Sequence, residues 1–400
     1  MNVSKVSALL WTVNLGSIST SVFSYVYLAY FIYIQTDTVL YSNLVLLAPM
    51  LVPVLFCFTI NRYAKSASPK KLLALANIAG LCISVITFLT IKQFAFAALV
   101  GAMFIGLIDA TQRVTRMVAI KSYFSEANVK YAAPLTLTAQ FIAGGIAGAL
   151  MSCYKGQMTP EIAMLVVASL YIIATTASIY LPHNDKGAPA STNSKMTAAE
   201  TLTALSSILR NNPILKQQFI SFTLFVSIFQ GFFYVSRVTL PTYVLHLSDQ
   251  FVGFLQIISS MSALIGAILF YYLNKKGWNF TKTITKLISI TSLAAMMGAT
   301  LGTSVLSSYI LYFIFMFLFE VLFFKFQADV VNACPKEHMP MISTFQYAAA
   351  YIGMMLVIFW GGVITQTFGL SWAAATCVLL YLAIMLKEAV SERDLVSLEV

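Results

Sequence analysis

About twelve long apolar segments follow one another along nearly the whole chain, and this pattern restricts the fold more than any other feature. A stretch of roughly 18 or more mostly apolar residues is typical of a helix that crosses a membrane. The predicted helices cover residues 8–33, 41–60, 71–91, 95–120, 133–153, 161–181, 216–245, 250–273, 284–304, 308–330, 340–366 and 369–387. Hydrophobic residues make up 59% of the chain and charged residues 10%, far from the composition of soluble domains. The predicted fold class is therefore an all-α integral membrane protein.

The basic residues are concentrated in alternate loops between the predicted helices. They cluster between the second and third helices and between the eighth and ninth: Arg62, Lys65, Lys70, Lys71, Lys275, Lys276, Lys282 and Lys286. Cytoplasmic loops of membrane proteins are enriched in lysine and arginine. We therefore expect both termini to be cytoplasmic, and the short loops favour a bacterial inner (plasma) membrane. This topology accounts for the net charge of +10, so nucleic acid is not an expected partner.

The cysteines and histidines form no recognisable site. The five cysteines are scattered without a CxxC pair, and the three histidines lie at or near predicted helix ends. This arrangement argues against a disulfide framework and against a metal site. No Walker-type phosphate-binding motif occurs either, so the sequence predicts no cofactor.

The segment 182–215 divides the chain into six plus six helices. It opens polar and then predicts a short amphipathic helix, in which Thr197 and Glu200 form a capping box and Asn212-Pro213 ends the helix. Such a helix would lie on the face of the membrane or of the bundle. The predicted domains are an N-terminal six-helix bundle at 1–181, a cytoplasmic linker at 182–215 and a C-terminal six-helix bundle at 216–400.

The two halves of the chain resemble each other. The fifth helix begins Pro134-Leu-Thr-Leu-Thr-Ala-Gln140 and the eleventh begins Pro340-Met-Ile-Ser-Thr-Phe-Gln346, so proline, threonine and glutamine match at one offset. Asp109 in the fourth helix has its counterpart in Glu320 of the tenth. A duplicated six-helix unit of this kind is typical of transporters.

With these features the chain resembles the major facilitator superfamily over its whole length, which implies twelve transmembrane helices in two pseudo-symmetric bundles. The loop Asn61-Arg62-Tyr63-Ala64-Lys65, followed by Lys70-Lys71, is similar to the basic loop signature of the family, with Asn61 in place of the usual acid. In the family this loop latches one closed state through charge pairs, which implies a gating role for Arg62.

Two further motifs resemble exporters of that superfamily. Gly144-Gly145-Ile-Ala-Gly148 is similar to the glycine-rich signature of drug and metabolite antiporters, although Gly145 replaces its proline. A close helix crossing through small residues explains the same run equally well. The linker that ends in Asn-Asn-Pro and the turn Cys334-Pro-Lys-Glu-His are similar to siderophore and macrolide exporters.

Few charged residues lie inside the predicted membrane helices, where a charge costs about 2.5–3.5 kcal/mol and usually faces a cavity or a partner. They belong to the fourth, seventh and tenth helices: Asp109, Arg113, Arg116, Arg237, Glu320, Lys325 and Asp329. In the family, helices 1, 4, 7 and 10 line the central cavity. The resemblance therefore implies that these residues surround the substrate path.

Helix spacing separates the two central acids. Asp109 shares one helix face with Arg113 and Arg116, which favours a structural ion pair or gate over a proton carrier. Glu320 stands among phenylalanines, where a carboxyl group resists ionisation. Our hypothesis is that Glu320 is the main proton-coupling residue; the alternative is an interhelix salt bridge, for example to Arg113. Lys325 and Asp329 are spaced to pair with each other.

The remaining candidates are expected to line a substrate cavity. Arg237 near the outer end of the seventh helix would attract an anionic group or close the outer gate, or else snorkel to the headgroups. The neutral candidates are Asn14, Tyr25, Gln140, Gln230, Tyr234 and Gln346. For each of them, a hydrogen bond that holds helices together is the competing interpretation.

The predicted function is proton-coupled secondary active transport, with export of a small amphipathic compound (a drug, a siderophore or a small peptide) by alternating access. An importer of a nutrient on the same fold is the alternative. An intramembrane enzyme would need a convergent nucleophile, base or metal set, and no histidine cluster lies in the predicted helices. The expected partners are a small-molecule substrate and the lipid bilayer, the expected driving force is the proton gradient, and the expected state is a monomer.

Overall fold

The computed structural model describes residues 3–66, 68–124, 126–153, 158–182, 198–278, 280–302, 304–335 and 338–398. These parts of the chain are helical, with the helices α1 (Val3–Thr36), α2 (Val39–Ser66), α3 (Pro69–Thr90), α4 (Phe96–Tyr123), α5 (Glu126–Cys153), α6 (Pro160–Ile179), α7 (Ala198–Asn211), α8 (Pro213–Thr239), α9 (Asp249–Lys275), α10 (Lys282–Thr300), α11 (Val305–Ala333), α12 (Met339–Phe368) and α13 (Leu370–Leu398). A π-helical segment, Leu240–Val244, continues α8.

The helix order agrees with the predicted one, but several helix ends differ. The helix predicted for 133–153 begins at Glu126, and the one predicted for 369–387 extends to Leu398. Apolar length measures only the part of a helix that lies in lipid, so polar helical ends escape it. The helix predicted for 284–304 ends at Thr300, and Gly302 then turns the chain with a φ of 64°. Because Pro241 has no N–H to donate, the end of the helix predicted for 216–245 widens into the π-helical segment.

Ten helices of the described chain are long and apolar enough to cross a membrane by length and composition. α5 and α13 add the shorter apolar stretches Ala139–Cys153 and Leu370–Leu386. Large apolar side chains, for example Ile86, Leu165 and Leu379, stay exposed on the outer faces of their helices. A surface of this kind is suited to lipid rather than water.

The membrane helices form two groups of six, as predicted. In the first group α1 packs against α5 and α6, while α3 and α4 complete the bundle with α2. In the second group α8 packs against α11, α12 and α13, and α11 also packs against α9 and α10. Stacked phenylalanines fill the second core; the ring centroids of Phe225 and Phe319 lie 5.4 Å apart. The predicted domain boundaries stay a prediction.

The amphipathic helix of the linker is α7, and it packs on the second bundle. Leu205, Ile208 and Leu209 contact the apolar core of that bundle. Asn212 then caps α8, since its Oδ1 accepts a hydrogen bond from the Leu215 N–H at 3.0 Å. The Thr197 half of the predicted capping box lies outside the described residues.

The two halves contact each other at the end of the bundle that carries the sparsely charged turns at 37–38, 91–95, 245–248, 301–302 and 369, and we call it the low-charge end. The opposite end, which we call the basic end, carries the first residues of α1 and the described lysines Lys70, Lys71, Lys275, Lys276, Lys282 and Lys286. At the low-charge end the Ser152 hydroxyl donates to the Gln250 carbonyl at 2.9 Å, which joins α5 to α9. The Val39 N–H donates to Gln366 Oε1 at 2.7 Å, which joins α2 to α12.

The glycines of α5 make a close helix crossing. A Cβ atom at Gly148 would lie 2.5 Å from the Gly253 carbonyl oxygen of α9, and one at Gly144 would collide with the side chain of Ser260. Small residues let two backbones approach in this way. The close-crossing interpretation of the glycine run therefore describes the geometry of the closed, low-charge end.

Candidate functional site

A charged pair on α4 lies between the two halves. Arg113 Nη2 is 3.0 Å from Asp109 Oδ2, one helical turn away. The other Arg113 nitrogen, Nη1, donates to the Tyr351 hydroxyl of α12 at 3.4 Å. The Arg113 side chain is 59% exposed, whereas Asp109 is mostly enclosed. The pair therefore stands at an open space between the halves and links them near their centre.

Arg116 extends this group along α4, but in a different environment. It is buried and makes no ion pair with a described residue, although it lies within electrostatic range of Asp109. Asp109 is consequently the nearby counter-charge for two guanidinium groups. This arrangement fits the ion-pair interpretation of Asp109 better than that of a proton carrier.

Tyrosines from three other helices surround the pair. Tyr25 of α1 and Tyr234 of α8 lie within electrostatic range of Asp109 and Arg113, and Tyr351 of α12 completes the group. The Tyr25 hydroxyl is buried and has no hydrogen-bond partner among the described residues. The site therefore combines one ion pair with an aromatic, hydroxyl-bearing wall contributed by both halves.

Arg237 of α8 is buried rather than extended toward the membrane surface. The residue is only 5% exposed, and its Cζ atom lies 5.4 Å from the centre of the Phe233 ring and 5.5 Å from that of Tyr234. Snorkelling is therefore the wrong description, because the two rings hold the guanidinium inside. Within the described chain no carboxylate pairs with it.

Glu320 lies at the crossing of α11 with α9. The residue is 7% exposed, and a Cβ atom at Gly266 of α9 would be 3.0 Å from the Glu320 Cβ. Glu320 makes no ion pair with Arg113 or with any other residue of the described chain, so the alternative of a salt bridge to Arg113 is wrong for this structure. Within the described residues, an acid in this position has no fixed counter-ion.

Farther along α11, Lys325 and Asp329 form the ion pair that their spacing predicts. Lys325 Nζ lies 2.7 Å from Asp329 Oδ2 and 4.8 Å from the centre of the Phe326 ring. Gln327 donates to the Tyr347 hydroxyl of α12 at 2.9 Å. In the described chain no group of three or more His, Cys, Asp or Glu side chains is placed to hold a metal ion.

The other predicted site residues are dispersed. Asn14 and Gln346 are buried, Gln230 is half-buried, and Gln140 is exposed, so the matched glutamines of α5 and α12 have different surroundings. Arg62 lies in α2, and its side chain is outside the part that the structure describes. Sequence reasoning missed Tyr347 and Tyr351; their four-residue spacing beside Gln346 was the available signal.

Replacing Asp109 with asparagine should destabilise the protein. The change leaves Arg113 without its acid and Arg116 without its counter-charge. Because Arg113 is exposed to solvent, the free energy of unfolding should fall by only about 1–2 kcal/mol. A lower thermal unfolding midpoint of the purified protein would show it. The matched control is Glu161→Gln, which removes the exposed ion pair with Lys92 and should change the thermal unfolding midpoint little. Equal midpoints for Asp109→Asn and wild type would contradict a structural role.

Two six-helix bundles that enclose charged and tyrosine side chains between them define a secondary transporter of the membrane. The Major Facilitator Superfamily profile matches residues 12–358, and the chain belongs to that family.

Solved transporters share this fold at low sequence identity. A bacterial homologue of the human lysosomal transporter Spinster, in an inward-facing and occupied conformation, is 14% identical over 91% of this chain and 82% of its own, with a TM-score of 0.68. A point mutant of the nucleoside transporter NupG is 14% identical over 95% of this chain and 99% of its own, with a TM-score of 0.67. A POT family transporter in complex with a thioalcohol-conjugated peptide is 12% identical over 96% of both chains, with a TM-score of 0.68. No curated protein matches the chain in sequence.

Proposed function

We propose that this protein is a proton-coupled secondary active transporter that exports a small amphipathic compound, with Glu320 as the main proton-binding residue. The observation that carries the proposal is the contrast between the two central acids. Asp109 is held by Arg113, whereas Glu320 is buried without an ion pair to a described residue. Burying an ionised carboxylate without an ion pair costs free energy. Binding a proton neutralises the carboxylate and removes that cost. A group of this kind suits a cycle that loads and releases protons.

The contacts between the halves support alternating access. The halves meet through α5 and α9 and through α2 and α12, at the low-charge end. The positive-inside rule places the basic end in the cytoplasm, together with both termini. With that orientation the closed, low-charge end faces outward, which is the arrangement in which an exporter takes up its substrate from the cytoplasm. We place the protein as a monomer in the plasma (inner) membrane.

The chemistry of the central site supports an amphipathic substrate. Tyr25, Tyr234 and Tyr351 offer ring faces and hydroxyl groups, and the guanidinium groups of Arg113 and Arg237 add positive charge. Aromatic rings with polar ends bind molecules that combine apolar and polar parts. Drugs, siderophores and small peptides have this composition. The proton gradient is the proposed energy source, with no cofactor.

Import of a nutrient or metabolite is the second candidate. The fold is shared with a nucleoside transporter and with a POT family transporter in complex with a conjugated peptide, so these likenesses fit import about as well as export. The same residues would operate in either direction.

Comparing solutes in cells and medium, with and without expression of the protein, identifies candidate substrates and the direction of transport. Purified protein in liposomes with an imposed pH gradient then tests coupling. Each proton that crosses down a gradient of one pH unit releases about 1.4 kcal/mol, so a coupled protein should move the solute against its concentration gradient. Movement that ignores both pH and potential would contradict proton coupling, and depletion of the solute from the medium would favour import.

A further inference from the structure

Arg237 carries a positive charge that the described protein leaves uncompensated. The residue is 5% exposed, and no carboxylate of the described chain forms an ion pair with it. The rings of Phe233 and Tyr234 stabilise it through cation–π contacts. Ring faces hold a cation but accept no in-plane hydrogen bonds, so the N–H groups of the guanidinium still need acceptors.

The geometry of the unused hydrogen-bond donors of Arg237 favours a carboxylate as their partner. Nε and Nη2 of Arg237 are buried and have no acceptor among the described residues. These two nitrogens lie on the same edge of the guanidinium plane, and their N–H bonds run parallel. That edge matches the two oxygens of a carboxylate, which it binds through two parallel hydrogen bonds.

Tyr25 adds a third donor from the other half of the protein. Its hydroxyl is buried without a partner in the described chain, and it lies within electrostatic range of Arg237. The neighbouring hydroxyl of Tyr312 is already used, since it lies 3.0 Å from the Ser236 Oγ. The free donors of Arg237 on α8 and of Tyr25 on α1 therefore lie within electrostatic range of each other, beside the aromatic rings that contact Arg237.

We propose that Arg237 and Tyr25 bind the carboxylate of the transported compound, and that the substrates are monocarboxylates with an aromatic or apolar body. This inference rests on the proposed transport function, and it narrows the substrate class from amphipathic compounds in general to organic acids. The carboxylate supplies the counter-charge that the described chain lacks. The faces of Tyr234 and Phe233 accommodate the body.

Binding of matched acids and amides to the full-length protein in lipid nanodiscs tests the proposal. The probes are a panel of aromatic and aliphatic monocarboxylates, beginning with 3-phenylpropanoate, together with their carboxamides and with phenyl phosphate. The rise of the thermal unfolding midpoint with probe concentration gives the dissociation constant. We expect acids to bind and their amides to fail at the same concentration.

The variants separate the two donors from general effects of charge. Arg237→Gln should weaken acid binding roughly 10- to 100-fold, the effect of losing a charged hydrogen-bond partner. Tyr25→Phe should weaken it a few-fold and keeps the ring, so it remains informative if Arg237→Gln fails to fold. Lys216→Gln removes one exposed positive charge from the same helix and should bind like wild type.

Several results would overturn the proposal. They are equal binding of acids and amides, no binding by any acid of the panel, unchanged affinity in both Arg237→Gln and Tyr25→Phe, or tighter binding of phenyl phosphate than of every carboxylate. Failure of the transport function would be seen differently: acids would bind through Arg237, yet no solute would follow the pH gradient. Proton-driven transport of an uncharged compound, unaffected by Arg237→Gln, would contradict the carboxylate site but leave the proposed transport function intact.

Discussion

A valine in place of Gly148 should slow transport by opposing closure of the low-charge end. Any Cβ atom at Gly148 would lie 2.5 Å from the Gly253 carbonyl oxygen and 2.9 Å from the Ile257 nitrogen, both backbone atoms of α9. Backbone cannot rotate aside, so α5 and α9 would have to separate. Overpacking of this kind costs about 1–3 kcal/mol, which shifts the balance between states about 5- to 150-fold. Alternating access requires both states, so the transport rate should fall by at least about fivefold.

The adjacent glycine provides a matched control. Among the described residues, a Cβ atom at Gly145 would meet only the Ser260 Cβ, at an ordinary contact distance of 3.8 Å. Gly145→Ala should therefore leave transport near the wild-type level, whereas Gly148→Ala should already impair it. Spin labels at Gln93 and Leu306, which lie exposed at the low-charge end in opposite halves, should move apart in Gly148→Val. An unchanged label distance with full transport would show that this crossing is not a gate.

The glycine run illustrates what sequence reasoning predicts and what it misses. Small residues at 144, 145 and 148 predicted a close crossing without naming the partner helix, because Gly253 lies in the other half of the chain. Apolar length likewise predicted the helices but not the polar start of α5 at Glu126 or the extension of α13 to Leu398. Periodicity along one helix contains no information about contacts between helices.

The sequence likewise predicted some features of the candidate site and missed others. The Asp109–Arg113 and Lys325–Asp329 pairs were predictable because each lies within one helix at a spacing of four residues. The burial of Arg237 and the contact of Arg113 with Tyr351 depend on how separate helices pack. Tyr351 is one of 20 tyrosines, and only its position opposite α4 distinguishes it.

Replacing Glu320 with glutamine should separate transport from the proton gradient. Glutamine keeps the size and hydrogen-bonding ends of the protonated acid but cannot exchange a proton. It should fit the α9–α11 crossing at Gly266, where Glu320 is buried without an ion pair to a described residue. In liposomes with a pH gradient, uphill accumulation should fall to a ratio of about 1, because no proton free energy reaches the solute. Exchange of labelled for unlabelled substrate needs no net proton movement and should continue.

The two assays together decide what the residue does. Loss of both accumulation and exchange would point to a packing defect, and Glu320→Asp, which restores a titratable group, should then fail as well. Loss of accumulation alone, with partial recovery in Glu320→Asp, is the expected result for a proton carrier. Glu161→Gln makes the same chemical change at an exposed ion pair with Lys92 and should leave both activities intact. Undiminished accumulation in Glu320→Gln would transfer the proton-carrying role to Asp109, the other acid at the centre of the helices, and Asp109→Asn would then have to abolish it.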